Sequence, residues 1–598
     1  MAAVGNDRFA ARLVPEQAGT LEIEVLGEVD RLASWRHDAL RRAEAARHDP
    51  DDAPNGAALL AETAGRLATA GRIGDAHAAE RLSAALAGTA EERPGLEELR
   101  GVLDGIATLD EALAALPPAG ADGTSPRYRL LVSRPVGAFS SWYECFPRST
   151  SPDASRSGTL VDLEARLEYV ERLGFDVLYL PPIHPIGTTA RKGRDNSPRA
   201  APGDVGSPWA IGSPEGGHLA VAPELGTIED FDALVGAARG RGIEIALDLA
   251  FQCSPDHPWV VEHPDWFAHR RDGSVACAEN PPKRYEDVYP LDFDTEDRDG
   301  LWAALLEVVL FWHSHGVRAF RVDNPHTKPF AFWEWLLAKA RQQDPGVVFL
   351  SEAFTRPKVM HRLAKLGFDL SYTYFTWRST KQELTEYFEE LAHGPGASYL
   401  RPSVWPNTPD ILALSLQHGG RSAFVGRLVL AACLSASYGI YGPPFELLLD
   451  RPARPKTDGD YLGSEKYETR HWDLDDPRSI ADVVARVNRA RREHRALWSN
   501  ESLHFHRVDN DQLICWSKHD AGSGDAVVCV VNLDPGWPQS GFVELDLWAI
   551  GLADDARFAV HDLLDGATYR WSGRSNFVLL DPARSPAHLF CVEDLGRR

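Results

Sequence analysis

The chain has 598 residues, 44% of them hydrophobic and 25% charged, which is enough apolar material for several packed cores and too much for a disordered chain. Its 63 Lys and Arg against 87 Asp and Glu give a net charge of −24, which excludes a general basic field for nucleic acid, so an anionic ligand must meet a local basic pocket. The seven cysteines (Cys145, Cys253, Cys277, Cys433, Cys515, Cys529, Cys591) are odd in number and contain no C-x-x-C pair, so neither a disulfide framework nor a zinc module is indicated.

In chain order, Asp7, Arg8 and Arg12 interrupt the apolar run that a secretory signal would need. The best membrane candidate, Leu428 to Phe445, contains Ser435, Ser437, Gly439, Gly442, Pro443 and Pro444, and the reading is a soluble cytoplasmic protein. Residues 8–27 alternate enough for two strands, a partial β domain assigned to 1–30. From Trp35 to Leu116 apolar residues recur at helical spacing, which predicts a helical bundle inserted over 31–118, closed by a Pro/Gly linker at Pro117 and Pro118.

Short apolar runs ending in polar residues then alternate with amphipathic stretches: 128–134, 177–182, 243–248, 318–323, 347–352, about 368–373, about 400–406 and 438–442. Eight such strand–helix repeats predict an α/β fold, a (β/α)8 TIM barrel over 119–500 with its chemistry at the carboxyl ends of the strands. The gap leading to the third strand is long and rich in Gly, Pro and Ser from His184 to Gly226, and is assigned to an inserted lobe at about 184–226 over the site. From about Phe505 alternating strands with Gly, Asp and Pro turns predict a C-terminal β-sandwich over 501–598.

Three acids fall at or just after strand ends: Asp323, Glu352 and Asp410. Acids there reach the barrel mouth, where two can flank one glycosidic bond as nucleophile and acid/base; a single one could equally cap a helix. Arg321 lies two residues before Asp323, so on a strand the two share a face, and a guanidinium there holds the aspartate ionised; a structural ion pair predicts the same spacing. Asp248 ends the third strand and Gln252 follows, both able to hydrogen-bond sugar hydroxyls. Trp209, Trp259, Tyr374 and Trp377 can stack on sugar faces or simply pack.

These acids resemble the short motifs of the α-amylase superfamily (glycoside hydrolase family 13). The segments WYECFPRS (142–149), PPIHPIGTTARKGR (181–194), GSPWAIGS (206–213), AFQCSPDHPW (250–259), AENPPKRYEDVYP (278–290), RVDNPHTKPFAFWEWL (321–336), EAFTRP (352–357), SYTYFTWR (371–378), NTPDIL (407–412), LQHGG (416–420) and GSEKYETRHWD (463–473) are similar to the α-1,4-glucan:maltose-1-phosphate maltosyltransferases. Ordinary amylases have Asn-His-Asp where this chain has Asn407-Thr408-Pro409-Asp410, so the resemblance points to this branch, from about residue 8 to the C-terminus.

The resemblance implies a retaining transferase without metal or organic cofactor. It would move a maltosyl unit from α-maltose 1-phosphate to an α-1,4-glucan, releasing phosphate. Asp323 would be the nucleophile, Glu352 the acid/base, and Asp410 the residue that holds the reacting sugar. Asn280, Lys283, Tyr285 and Asn324 match phosphate-holding positions, and Lys192, Gln252, Ser207, Asp248, Arg321, Lys466 and Tyr467 complete the substrate set. A phosphate leaving group calls for a cation and several donors, which agrees with Lys283 and its neighbours. Family members begin with a longer β-sandwich that takes part in a homodimer, so the short N-terminal segment puts dimerisation in doubt. Asp195-Asn196 and Val404-Trp405-Pro406 also depart from the pattern, and both are placed near the sugar pocket. Two other readings stay open: an amylase-type α-glucan hydrolase or transglycosylase, and a catalytically weak glucan-binding protein.

Overall fold

The structure, a computed structural model, describes the chain except residues 7, 46, 48, 88–95, 117–122, 281–282, 455–458 and 597–598; at 2–3, 96–98, 280 and 283 it describes the backbone alone. Residues 20–130 form one compact unit, and residues 1–19 with 131–598 form another.

The smaller unit is helical, with segments Arg31–Glu44, Asp52–Thr69, Ile73–Ala87, Leu96–Ala107 and Asp110–Ala114. The helical periodicity of the sequence becomes a shared core of Trp35, Leu60, Leu86, Leu103 and Ile106. The Asp30 side chain accepts from the Ala33 N–H and starts the first helix.

The larger unit contains a closed barrel of eight parallel strands: β1 (Ser140–Glu144), β2 (Val177–Leu180), β3 (Glu244–Leu249), β4 (Ala319–Val322), β5 (Val348–Ser351), β6 (Leu370–Tyr372), β7 (Pro402–Val404) and β8 (Ser437–Tyr441). Each strand pairs with the next, and β8 pairs with β1. Around them run α1 (Leu160–Leu173), α2 (Ile228–Gly240), α3 (Arg298–Ser314), α4 (Phe330–Gln343), α5 (Pro357–Leu366), α6 (Lys381–His393), α7 (Gly420–Leu434) and α8 (Ala481–Glu493). Thr159, Thr227 and Thr380 start α1, α2 and α6 with capping boxes, which set where each helix turns back along the barrel.

One expected strand is corrected. Tyr128–Val132 is not a barrel strand; its sheet partner is Gly19–Ile23, and Tyr128 and Leu130 are exposed. The first barrel strand is Ser140–Glu144, fully buried, with Trp142 facing inward and Tyr143 outward.

Inward residues fill the barrel with Trp142, Val177, Tyr179, Ala246, Ala319, Leu350, Leu370, Tyr372 and Trp405. Trp405 lies flat on Tyr372, with ring centroids 5.0 Å apart, and donates through Nε1 to Ser403 Oγ at 3.0 Å. Gly439 on β8 makes this possible, because a Cβ there would lie 2.3 Å from Trp405 Cζ2. The Val404-Trp405-Pro406 departure therefore packs the barrel directly beneath the site, with the Trp405 ring buried.

Two excursions cover the mouth. Residues 181–227 contain only isolated bridges and one 3-10 turn among the described residues. Residues 250–297 carry short ladders, including Ala278–Asn280 paired with Lys283–Tyr285. After α8 the chain enters an eight-stranded antiparallel sheet folded on itself: β9 (His504–Val508), β10 (Leu513–Asp520), β11 (Asp525–Asn532), β12 (Gln539–Glu544), β13 (Arg557–Asp562), β14 (Thr568–Ser572), β15 (Ser575–Leu580) and β16 (Ala587–Asp594). Alternate residues of β10 and β11 enter two cores. Leu513, Cys515, Val528 and Val530 face the sandwich interior, while Ile514, Trp516, Val527, Cys529 and Val531 join the core of the barrel helices.

Candidate active site

At the carboxyl ends of β3, β4 and β5 one guanidinium organises three carboxylates. Arg321 Nη1 donates to Asp248 Oδ2 at 2.8 Å and to Asp323 Oδ1 at 2.9 Å, and Nη2 lies 2.5 Å from Glu352 Oε1. The β ladder explains the meeting: Arg321 is in register with Asp248, and Asp323 lies two residues further on the same inward face. Tyr179 OH at 2.7 Å and Trp209 Nε1 at 3.0 Å also donate to Asp248 Oδ2. The rings of Tyr179 and Tyr372 lie under the guanidinium, each 5.9 Å from its carbon.

Electrostatics separates the acids. Burial pushes the Glu352 carboxyl up to about 8 against the opposing pull of Arg321, with Asp323 and Asp410 adding to the rise. Burial likewise raises Asp248, to about 6, against Arg321. Burial thus favours the protonated form of Glu352, the form able to give a proton to a leaving group. Asp323 keeps a direct guanidinium partner and accepts a long hydrogen bond from Asn324 Nδ2 at 3.5 Å.

Asp410 occupies the turn of a hairpin in which Asn407–Thr408 pairs with Ile411–Leu412. Asn407 anchors that hairpin: its side chain donates to Tyr441 O and Tyr461 OH, both at 2.9 Å, and accepts from the Tyr441 N–H at 3.0 Å. Lys466 Nζ forms a short ion pair with Asp410 Oδ1 and stands 5.0 Å over the Trp209 ring. Burial would raise Asp410, but Lys466 overcomes it and holds the carboxyl below its ordinary value.

The 463–473 loop that carries Lys466 and buried Tyr467 is fastened from three sides. Glu465 accepts from Tyr441 OH at 2.6 Å and Trp472 Nε1 at 3.1 Å, and Arg148 of the WYECFPRS segment donates to Glu465 O and to Gly206 O. Asp195, the other departure from the pattern, accepts from the Gly463 N–H at 2.7 Å and so ties the lobe to this loop.

Among the remaining expected residues, Lys192 is buried and pairs with Glu286 at 2.5 Å, and Gln252 donates to Trp209 O at 3.2 Å. Ser207 is buried in the same lobe. Tyr285 is half-buried, and burial raises its hydroxyl pKa. Asn280 and Lys283 face each other in a backbone ladder, but their side chains lie outside the described residues. Trp259 packs on His218 inside the lobe, whereas Phe354, Tyr374 and Trp377 form a partly exposed aromatic wall just after Glu352.

Three side chains escaped the sequence reading. Glu144 ends β1 at the mouth, almost wholly buried, and burial pushes its carboxyl well up. Asp287 is buried beside Lys192, and among the described residues its Oδ1 has no hydrogen-bond partner. Lys328 lies next to Asp323 and Glu352. All three lie in segments already quoted, WYECFPRS, AENPPKRYEDVYP and RVDNPHTKPFAFWEWL, which is the available signal.

His218, Cys253 and His257 bring ligand-type atoms within 4.8 Å of one another. The ring nitrogens are nevertheless in use. The Trp259 N–H donates to His257 Nδ1 at 3.0 Å, so His257 Nε2 carries the proton towards His218 Nδ1 at 3.1 Å, and His218 Nε2 donates to Ala250 O at 3.0 Å. Gly212, at φ +109°, lets its loop pass over the His257 ring where a Cβ would clash at 2.3 Å. The trio fastens the lobe to β3.

Comparison with known proteins agrees with this geometry. Residues 144–302 match the α-amylase catalytic domain, residues 1–134 match "Alpha-1,4-glucan:maltose-1-phosphate maltosyltransferase, domain N/S", and residues 505–592 match "GLGE, C-terminal". An α-amylase from Lactobacillus plantarum (TM-score 0.57, 20% identity, 77% of this chain and 100% of that one) and the maltogenic α-amylase AmyB from Thermotoga neapolitana (0.60, 16%, 77% and 100%) share the fold. Fold and site therefore define an α-amylase-type barrel protein.

The α-1,4-glucan:maltose-1-phosphate maltosyltransferase of Chlorobaculum tepidum is 46% identical over 604 residues, covering 99% of this chain and 88% of the relative. Isoform 2 of Streptomyces coelicolor is 48% identical over 594 residues (99% and 87%), and the enzyme of Mycobacterium tuberculosis H37Rv is 46% identical over 592 (97% and 82%). The chain belongs to the α-1,4-glucan:maltose-1-phosphate maltosyltransferase family.

Proposed function

We propose that this protein transfers a maltosyl unit from α-maltose 1-phosphate to the non-reducing 4-hydroxyl of an α-1,4-glucan, with release of phosphate and retention of configuration. The observation that carries the chemistry is Arg321 bridging Asp323 and Glu352 at the barrel mouth while Lys466 holds Asp410. Family membership supports the donor and acceptor.

In this reading the Asp323 carboxylate attacks the anomeric carbon as the bond to the phosphate oxygen breaks. Glu352 gives its proton to that oxygen, so hydrogen phosphate departs and a β-maltosyl ester remains. Glu352, now ionised, accepts the proton of the glucan 4-hydroxyl as that oxygen attacks from the vacated face, restoring the α linkage. Asp410 accepts hydroxyls of the reacting ring, and Tyr285, Asn324, Asn280 and Lys283 receive the phosphate. Lys192, Ser207, Gln252 and Tyr467 line the maltosyl unit.

We place the enzyme in the cytoplasm; among the described residues no helix is long and apolar enough to cross a membrane. Light scattering tests whether it forms a homodimer. Incubation with α-maltose 1-phosphate and maltohexaose tests the reaction: phosphate must appear as products grow by two glucose units. Disproportionated or shortened glucans without phosphate release would instead make it an amylase-type enzyme, and an unchanged mixture would leave a glucan-binding protein.

A further inference from the structure

The loop following the nucleophile carries a cation that the reaction scheme has not used. Asn324 sits at φ +42°, in the left-handed region, and Pro325–Thr327 form a 3-10 turn. Together they fold Lys328 back over the end of β4. Its Nζ donates to Asp323 O at 3.5 Å, Asn324 O at 3.4 Å and Thr327 Oγ1 at 3.1 Å, all neutral acceptors at long or ordinary range.

Of the other cations named at the mouth, Lys192 is matched by Glu286, Lys466 by Asp410, and Arg321 by Asp248, Asp323 and Glu352, while Arg148 is spent on the backbone carbonyls of Glu465 and Gly206. Among the described residues Lys328 forms no such ion pair, although it is half-buried and stands among acids already claimed by Arg321. Burial lowers its pKa, and Asp323, Glu352 and Asp248 counteract that, so the group is short of a negative partner of its own.

The backbone of Asn324 fixes where that partner would come from. Its N–H points to Glu352 Oε2 at 3.3 Å, while its carbonyl receives Lys328. The acid/base and the ammonium thus stand on the two sides of one peptide residue. The oxygen that Glu352 protonates is the one that bears the phosphorus.

Resting on the maltosyl-transfer reading, we propose that Lys328 is a phosphate-binding residue that takes the charge of the departing group. As the bond from Asp323 to C1 forms and the C1–O bond breaks, the Glu352 proton goes to the bridging oxygen, and the two charges of the resulting hydrogen phosphate lie against Nζ. A charge-assisted contact of this kind is stronger in the transition state, where the bridging oxygen gains charge, than with the bound donor.

The test compares two donors on the intact enzyme, α-maltose 1-phosphate and α-maltosyl fluoride, both with maltohexaose as acceptor. Lys328→Met should lose about 100-fold in kcat/KM on the phosphate donor. Its loss on the fluoride should be smaller by about thirtyfold or more, and Lys328→Arg should recover part of the phosphate-donor rate. Inorganic phosphate should inhibit wild type on the fluoride and inhibit Lys328→Met more weakly. Equal losses on the two donors would make Lys328 a structural or acceptor-side residue and overturn the proposal, as would no loss on either. Should Lys328→Met not fold, Lys328→Gln is read in the same way. Wild type that releases no phosphate from α-maltose 1-phosphate refutes the parent reading instead, before any variant is compared.

Discussion

Raising the pH titrates Glu352 out of its acid form, and the size of the effect follows from its surroundings. Burial places the carboxyl at about 8, against an ordinary 4.5, a difference worth about 5 kcal/mol at 1.36 kcal/mol per unit. At pH 7 roughly nine-tenths of the enzyme then holds the proton, and at pH 9 roughly one-tenth, whereas an ordinary glutamate would hold it in about one molecule in 300 at pH 7. Activity should stay level to about pH 7.5 and fall about tenfold by pH 9. The assay is initial phosphate release at low α-maltose 1-phosphate, since a phosphate monoester with a second pKa near 6 is a dianion throughout that window. Linkage gives an independent check of sign. A carboxyl raised in the folded state favours folding most below its unfolded value, and that contribution is lost as pH climbs towards 8. Glu352→Gln should therefore flatten part of the stability loss between pH 5 and 8. A rate limb near pH 5, or a rate unchanged from pH 6 to 10, would refute the argument that burial outweighs Arg321 at this carboxyl.

Asp323→Asn should lower transfer by at least about 10⁴-fold while glucan binding persists, measured by phosphate release and by calorimetry with maltohexaose. Gly439→Ala should destabilise by about 1–3 kcal/mol because Trp405 cannot move off Tyr372, and Trp405→Ala alone by about 3–5 kcal/mol. In urea melts the double variant should fall short of the sum by at least about 1 kcal/mol, and strict additivity would argue against the contact. Burial holds His257 down at about 2, so its contribution is present above the unfolded value near 6.5 and is lost as pH falls. His257→Gln should therefore lose about 2 kcal/mol less than wild type between pH 7 and 5, read from the difference in their melting temperatures.

The legible part of the site was the part set by strand periodicity. Arg321 and Asp323 share a face because strand side chains alternate, and Asp248 joins them through register. The first barrel strand was not legible, since Ser140, Ser141 and Glu144 look like loop residues until the barrel buries them on both faces. Tyr128 and Leu130 misled in the opposite way, as apolar residues on an exposed strand. The place of Trp405 depends on the absence of a side chain at Gly439, and no local pattern links the two positions. Lys328 needed the left-handed turn at Asn324 before its ammonium could reach the mouth. Asp410 was legible as an acid, but its hairpin turn and its partnership with Lys466 belong to the tertiary structure.

The double allegiance of β10 and β11 bears on how the chain can be cut. Trimming the protein after residue 500 would uncover α7, where Gly426 lies against Val531, and would strip Lys381 of its acceptors, Val508 O at 3.0 Å and Asn510 O at 3.2 Å. It would also remove Asp525, the partner of His494 at 2.8 Å. The terminal sheet is therefore a buttress rather than an appendage. A catalytic fragment reduced to the barrel would be expected to aggregate, and the barrel and sheet to melt together in a single calorimetric transition.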